Sequence, residues 1–223
     1  MAFRYRWLEI GIPYSLERLA ERLDNHKLSE SIDSGFMIER AGATKISGNL
    51  VSRSRLKLLH IQTDGSTAEE IVSSVTLLAF SIFSKSNKTW LRVSDPPRST
   101  RELTNALERA IGMGFFAESV LFSHATFNSI LERVDECRLI STKGIAVLHE
   151  SNALARIEIA SKDGIILDGL PLLKGLEYAV DTATFEVTFR REKGQVSFTK
   201  SGLIRVNGRL SEHIVELVEK SLT

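Results

Sequence analysis

The sequence contains few of the residues that cross-link a chain or interrupt its helices and strands. Of its 223 residues, one is cysteine and four are proline. A single cysteine, Cys137, cannot form an intramolecular disulfide, which favours a reducing compartment. Because no base or electropositive motif accompanies Cys137 in the sequence, we predict a buried structural thiol rather than a nucleophile.

Long hydrophobic runs are also missing. The most apolar stretch, residues 75–83, is interrupted by Thr76 and Ser81. It is far shorter than the ~20 apolar residues that a membrane-spanning helix needs. The N-terminal residues lack the long apolar segment of a signal peptide. We therefore predict a cytoplasmic protein with no membrane segment.

The sequence also has no large excess of charge of one sign, since the formal net charge is +1. A dedicated nucleic-acid binder is usually more basic, so any such function must depend on a local patch. The apolar fraction of 43% is ordinary for a packed globular protein. The length suits one large domain or two of about 110 residues each.

Catalytic motifs are absent as well. The glycines at 112 and 114 lack the further glycine and the Lys-Ser/Thr pair of phosphate-binding loops, and no Gly-x-Ser-x-Gly elbow occurs. The five histidines show no ligand spacing with Cys137 or with one another. We predict no cofactor, no metal and a protein that is not an enzyme. Because catalytic groups also assemble from distant residues, a small enzyme or ligand-binding protein stays open as a third class.

What the sequence does contain is a repeated order of elements. Hydrophobic periodicity predicts a strand, a helix, several strands and a helix in each half. In the first half these cover residues 3–10, 16–25, 35–41, 45–53, 55–63, 68–83, 89–94 and 99–111. In the second half they cover residues 115–122, 126–135, 138–148, 153–160, 184–190, 195–200 and 203–207, followed by a helix opened by Ser211.

The two halves share a local motif, in which residues 91–94 (Leu-Arg-Val-Ser) correspond to residues 204–207 (Ile-Arg-Val-Asn). We predict an α+β fold of two pseudo-repeats, residues 1–112 and 113–223, each with the order β-α-β-β-β-β-α. The repeats would share a curved antiparallel sheet with helices on one face. A single α+β domain with similar hairpins is the alternative.

This order resembles the saddle of the TATA-box-binding protein superfamily. Residues 196–211 resemble that family's phenylalanine-containing strand, Ser-Gly turn, second strand and Ser-capped helix. The resemblance implies a concave sheet that binds the DNA minor groove, with phenylalanines wedged between base steps. The matching positions are Phe198 and Phe83, and Lys200 would supply the basic turn. This chain departs from the family at Leu203, where a lysine is usual.

Strand periodicity independently predicts a basic sheet face. Successive side chains of a strand point to opposite faces, so Leu91 and Val93 should pack inward while Trp90 and Arg92 face outward. The same alternation places Ile204 and Val206 inward and the residues Leu203, Arg205 and Asn207 outward. Arg53, Arg55 and Lys57 also share a face, and residues 45–59 contain four basic residues and no acidic one.

We therefore predict a non-enzymatic protein that binds DNA or RNA through the open face of its sheet. The alternative is a protein-interaction subunit of a larger complex without nucleic-acid contact. The predicted contact residues are Arg53, Arg55, Lys57, Phe83, Trp90, Arg92, Phe198, Lys200, Arg205 and Asn207.

Overall fold

The computed structural model describes residues 2–29, 32–148, 153–167, 170–173 and 177–222. It is an α+β protein that divides into two compact units. The N-terminal unit comprises Glu9–Glu118, and the C-terminal unit comprises Met1–Leu8 with Ser119–Thr223. No described helix has the length and apolar composition needed to cross a membrane.

The N-terminal unit is an antiparallel sheet with two helices. Its strands follow the order β2-β3-β4-β5, and the end of β1 also belongs to this unit. The elements are β1 (Ala2–Gly11), α1 (Leu16–Asn25), β2 (Ser34–Ala41), β3 (Lys45–Ile61), β4 (Thr67–Lys85), β5 (Lys88–Ser94), α2 (Arg101–Ile111) and β6 (Phe116–Ser119).

The helices of the N-terminal unit are amphipathic, as their sequence periodicity predicts. Helix α1 packs against β2 and α2 and buries Leu16, Leu19 and Leu23. Ser15 caps it, because its hydroxyl accepts a hydrogen bond from the amide of Arg18. Helix α2 buries the predicted apolar residues Leu103, Leu107, Ala110 and Ile111.

The C-terminal unit contains antiparallel strands in the order β1-β11-β10-β9-β7-β8. Its elements are α3 (His124–Leu131), β7 (Glu136–Leu148), β8 (Ala153–Ala160), a 3₁₀ turn (Pro171–Leu173), β9 (Glu177–Phe189), β10 (Glu192–Thr199), β11 (Leu203–Asn207) and α4 (Leu210–Ser221). Helix α4 packs against β10, β11 and α3.

The faces of β11 follow the predicted alternation. Ile204 and Val206 are fully buried, whereas Arg205 and Asn207 are exposed. The prediction that Ser211 caps α4 is wrong: the helix begins at Leu210 and its cap makes no side-chain hydrogen bond. The Ser211 hydroxyl instead lies 2.6 Å from the Tyr5 hydroxyl, so it joins α4 to β1 within the C-terminal unit.

Further sequence predictions need correction. The helix predicted over residues 126–135 begins at His124 and ends at Leu131. Residues 45–53 and 55–63 are one continuous strand, β3, rather than two. Strand β6 is shorter than the predicted 115–122. Cys137 is exposed rather than buried, because β8 joins β7 only from Ser141 onward and leaves the edge beside Cys137 uncovered. Partial burial still raises the pKa of the Cys137 thiol, which disfavours the reactive thiolate.

The element order bears on the predicted repeat. The first half reads β1-α1-β2-β3-β4-β5-α2, which is the predicted order. The second half, from β6 to α4, contains five strands after α3. These are the five segments predicted there one by one, and they exceed the four strands of the predicted repeat order. The additional strand lies at the edge of the sheet, where β8 pairs with β7. The superposition of the two halves stays a prediction.

Candidate nucleic-acid interface

The longest hairpin in the described chain extends beyond both of its neighbouring strands. Strand β2 pairs with β3 only as far as Ser52, and β5 pairs with β4 only as far as Phe80. Past these points β3 and β4 continue alone as a two-stranded ribbon, in register from Arg53↔Val75 to Ile61↔Thr67. We call residues 53–77 the arm. Its nine residues of β3 correspond to a length of about 30 Å.

Both faces of the arm are open to solvent. All of its residues are exposed except Ala68, which is half-buried. The turn at its tip is held by Asp64, whose carboxylate accepts hydrogen bonds from the amide and hydroxyl of Ser66 at 2.9 and 2.6 Å. These bonds hold the pKa of Asp64 below its ordinary value. Gly65 completes the turn with φ of +80°, a conformation that favours glycine.

One face of the arm carries the basic residues that the sequence singled out. Arg53, Arg55 and Lys57 alternate along β3 and therefore point to the same side of the ribbon. We call this side the basic face. The Arg53 guanidinium lies 3.4 Å from the carbonyl oxygen of Ser29, to which it donates a hydrogen bond. Lys57 lies 3.2 Å from Glu69, an exposed ion pair of small energetic weight.

The exposed face of the C-terminal unit carries a second basic group. Arg4 on β1 lies directly opposite Arg205 on β11, and both residues are exposed. Like charges directly opposite each other are destabilising in a strand pair. Asn207 is exposed on the same strand, and Lys200 is exposed in the β10–β11 turn. These three predicted contact residues are therefore accessible.

Acidic residues pair with the basic residues of strands farther along that sheet, β7 to β10. Glu186 on β9 accepts hydrogen bonds and ion pairs from Lys193 and Arg138, with nitrogen–oxygen distances of 3.2 and 2.5 Å. These cations hold the pKa of Glu186 below its ordinary value. Lys143 pairs with Glu158 at 2.9 Å. The C-terminal unit therefore does not present a uniformly basic sheet.

The predicted aromatic contacts lie in the interior. Phe198 is 0% exposed, and its ring centre is 4.8 Å from that of Phe127. Phe83 and Trp90 are also buried, at 8% and 4% exposure, and they face each other across β4 and β5. A buried ring has no free surface for a base step or a stacked base. We therefore leave all three out of the proposed interface.

Arg92 is held within its own sheet. Its side chain is half-buried, and its guanidinium donates a hydrogen bond to the Ser81 hydroxyl at 3.3 Å. Lys88 covers the neighbouring Trp90, with its amino group 5.6 Å from the ring centre, and pairs with Glu9 at 3.0 Å. Strand alternation alone did not predict that Lys88 covers Trp90, because alternation assigns a side chain to a face of the sheet but not the groups that pack over that face.

Sequence reasoning missed the apolar surface of the arm. Large hydrophobic side chains are exposed along both of its strands. They are Leu56, Leu58, Leu59, Ile61, Ile71, Val72, Val75 and Leu77. The signal was present in the sequence: residues 45–61 and 67–85 form strands of 17 and 19 residues around an Asp-Gly turn. The flanking strands, of eight and seven residues, are too short to pair with the arm along its length.

Other site chemistries receive little support from the described part of the chain. Among the described residues, no group of three or more His, Cys, Asp or Glu side chains is placed to hold a metal ion. The arm and the Arg4–Arg205 pair are exposed groupings of positive charge within the described part of the chain.

Comparisons with known proteins do not assign the chain to a family. No family model matches it, and no curated protein matches its sequence. Among solved structures, a similarity is found to DynU16, a protein from the dynemicin biosynthetic locus. The two chains are 9% identical over 97% of this chain and 94% of the other, with a TM-score of 0.22. A score of this size shows neither a shared fold nor a shared function.

Proposed function

We propose that this protein is a non-enzymatic binding protein that contacts nucleic acid through the basic face of its arm. The observation that carries the proposal is the placement of Arg53, Arg55 and Lys57 at alternate positions on one side of an exposed ribbon. Glu69 is the acidic side chain on that face. The face therefore keeps a positive balance, although the whole chain is nearly neutral.

The dimensions of the arm suit a nucleic-acid groove. The two strands of an antiparallel ribbon lie about 4.8 Å apart. The major groove of B-form DNA, about 12 Å wide, admits a two-stranded ribbon. Arginine is well suited to such a contact because its planar guanidinium binds phosphate oxygens in pairs. In this proposal Arg53 and Arg55 bind phosphates, and Lys57 leaves its ion pair with Glu69 to bind a third phosphate.

The proposal predicts a definite salt dependence. Each phosphate that a protein neutralises contributes about −0.9 to the slope of log affinity against log salt. Three contacts give a slope of about −2.7. Raising the salt from ~50 to ~200 mM should then weaken binding about 40-fold. Fluorescence anisotropy on labelled duplex and single-stranded oligonucleotides measures this slope and compares the two nucleic-acid forms.

A pair of matched variants tests the location of the interface. The triple variant Arg53→Ala, Arg55→Ala, Lys57→Ala changes the net charge from +1 to −2. A control that replaces the exposed Arg98, Arg101 and Arg109 by alanine changes the charge equally. We expect the first variant to lose most of the salt slope and the control to retain it. Equal losses would place binding outside the arm, and no binding by the wild type at ~50 mM salt would refute the proposal.

The Arg4–Arg205 pair is the second proposed contact. Arg205→Ala should reduce the salt slope by about 0.9 if Arg205 binds a phosphate. Lys200→Ala, on the same exposed surface, tests a further predicted cation by the same slope. Asn207 is uncharged, so Asn207→Ala is tested by affinity at constant salt. An unchanged slope in the Arg205 and Lys200 variants, with unchanged affinity in the Asn207 variant, would restrict the interface to the arm.

A protein partner is the second candidate function. The observation that favours it is the exposed apolar surface of the arm, where Leu59 and Ile61 are 67% and 80% exposed. Contiguous apolar surface of this kind commonly marks a protein-interaction site. If nucleic acid fails to bind at low salt, this candidate takes precedence.

A further inference from the structure

The outer edge of β4 within the arm has no neighbouring strand in the described residues. Strand β5 pairs with Phe80–Lys85 of β4, in register from Phe80↔Val93 to Lys85↔Lys88. Toward the tip, residues 67–79 have β3 on one side and no strand on the other. An open edge presents unpaired amide and carbonyl groups, which form a template for another strand.

The sequence of this edge favours pairing with another strand. Residues 71–77 read Ile-Val-Ser-Ser-Val-Thr-Leu, with no charge, proline or glycine. Uncharged segments with many β-branched residues have a strong tendency to pair as strands. The other edge of the arm, on β3, differs because Arg53, Arg55 and Lys57 interrupt it. Charged residues of this kind are a common protection of edge strands against pairing.

The pattern of side chains selects a second copy of this chain as the occupant of the edge. In an antiparallel pairing of two β4 strands centred on Val72, Glu69 lies opposite Val75 and Thr67 lies opposite Leu77. No like charges face each other in this register. In β3, the register that pairs the whole strand of the arm, centred on Lys57, sets Lys57 against itself, and centring on Leu56 sets Lys57 against Arg55. Centring on Leu58 avoids like charges but pairs only residues 55–61 of the strand. Like charges directly opposite each other are destabilising.

We propose that two copies of this chain pair through the outer edges of residues 67–77, so that their arms form one four-stranded antiparallel sheet. The two-fold axis passes beside Val72 and runs perpendicular to the sheet. Such an axis keeps each face of the ribbon on its own side, so the basic faces of both arms become one continuous surface. The dimer then presents six basic side chains from β3, on the two outer strands of the four.

The expected strength follows from the size of the contact. A stable, standard interface buries about 800 Å² on each partner. One strand edge of eleven residues offers less than that, so we expect dimer formation to depend on protein concentration. Sedimentation velocity of the full chain, without nucleic acid, should show a shift from 24.9 kDa toward twice that mass as concentration rises. A 24.9 kDa species at every concentration would overturn the proposal.

Charge substitutions on the two-fold axis test the register. Val72→Lys places two lysines opposite each other and should abolish the dimer, and Val72→Glu should do the same with two carboxylates. An equimolar mixture of the two variants should form a dimer again, because lysine then faces glutamate. Leu59→Lys is the matched control, since Leu59 is exposed on β3 and away from the edge. Dissociation by Leu59→Lys equal to that by Val72→Lys, or failure of the mixture to dimerise, would refute the pairing.

A disulfide provides a second measurement that does not depend on the stability of a charged variant. Residues directly opposite in an antiparallel pair have Cα atoms about 4.5–5.5 Å apart, which a disulfide can bridge. In a Cys137→Ser background, Val72→Cys should give a covalent dimer under mild oxidation, whereas Leu59→Cys should not. The absence of this product would overturn the proposal. Since neither experiment contains nucleic acid, their failure would leave the proposed function untouched.

Discussion

Phe198 is a residue whose sequence context and structural environment point to different roles. Its surroundings in the sequence resemble a DNA-wedging strand, yet its ring lies among Phe122, Phe127 and Phe185 in the C-terminal unit. The resemblance concerns a strand–turn–strand pattern, which is compatible with either face of the sheet being buried. The side chain of Phe198 therefore contributes to the core of the unit.

This burial gives a prediction for stability. Phe198→Ala should lower the free energy of unfolding by about 3–5 kcal/mol, because the deletion removes buried surface and leaves a cavity. Urea denaturation followed by circular dichroism measures the change. Phe116→Ala, at an exposed ring, is the control and should cost less than half as much. A loss below about 1 kcal/mol for Phe198→Ala would contradict its place in the core.

At the scale of single elements, Arg22 links the two helices of the N-terminal unit. Its guanidinium donates hydrogen bonds of 3.1 Å to the carbonyl oxygens of Ala110 and Ile111, at the end of α2. The ring of Tyr14 lies 5.1 Å from the same guanidinium. A positive charge at these carbonyls complements the negative end of the helix dipole.

We expect Arg22→Ala to destabilise the protein by about 1–2 kcal/mol, because two charge-assisted hydrogen bonds and the dipole contact are lost. Arg18→Ala, one turn earlier on α1 and exposed, should cost less than about 0.5 kcal/mol. Urea midpoints of the two variants give the comparison. Equal midpoints would show that Arg22 does not stabilise α2.

Also at this scale, the sequence predicted the helices and strands better than it predicted what packs against them. The apolar periodicity of α1, α2 and β11 was sufficient because each has one face against a neighbour in its own unit. It could not predict the arm, because exposure there depends on where β2 and β5 end. Arg53, Arg55 and Lys57 lie on one face as predicted, but that face belongs to a two-stranded ribbon rather than to the open face of a larger sheet. The burial of Trp90 and the exposure of Cys137 likewise depend on neighbouring strands and side chains.

At the scale of the whole molecule, the division into units could not be read from the sequence. The sequence suggested a boundary at residue 112, where two glycines follow α2. The structure assigns Met1–Leu8 to the C-terminal unit, because β1 pairs with β11. Strand pairing between residues so distant in sequence leaves no local trace. The arm, in contrast, lies wholly within the N-terminal unit.

The pairing of Ala2 with Asn207 has a consequence for how the chain acquires its structure. The N-terminal unit is built from one continuous segment, whereas the C-terminal unit combines Met1–Leu8 with Ser119–Thr223. Closing a loop of about 200 residues costs about 3 kcal/mol more in chain entropy than closing a hairpin turn of five. We expect the N-terminal unit to form first in refolding and on the ribosome.

Pulsed hydrogen exchange during refolding tests this order. Amides of β4 and β5 in the N-terminal unit should become protected before those of β10 and β11. Simultaneous protection of both units would contradict the expected sequence. If the order holds, the arm with its open edge emerges early, while the first eight residues still await their partner strand. A newly made chain would then expose its pairing edge before the rest of the molecule is complete.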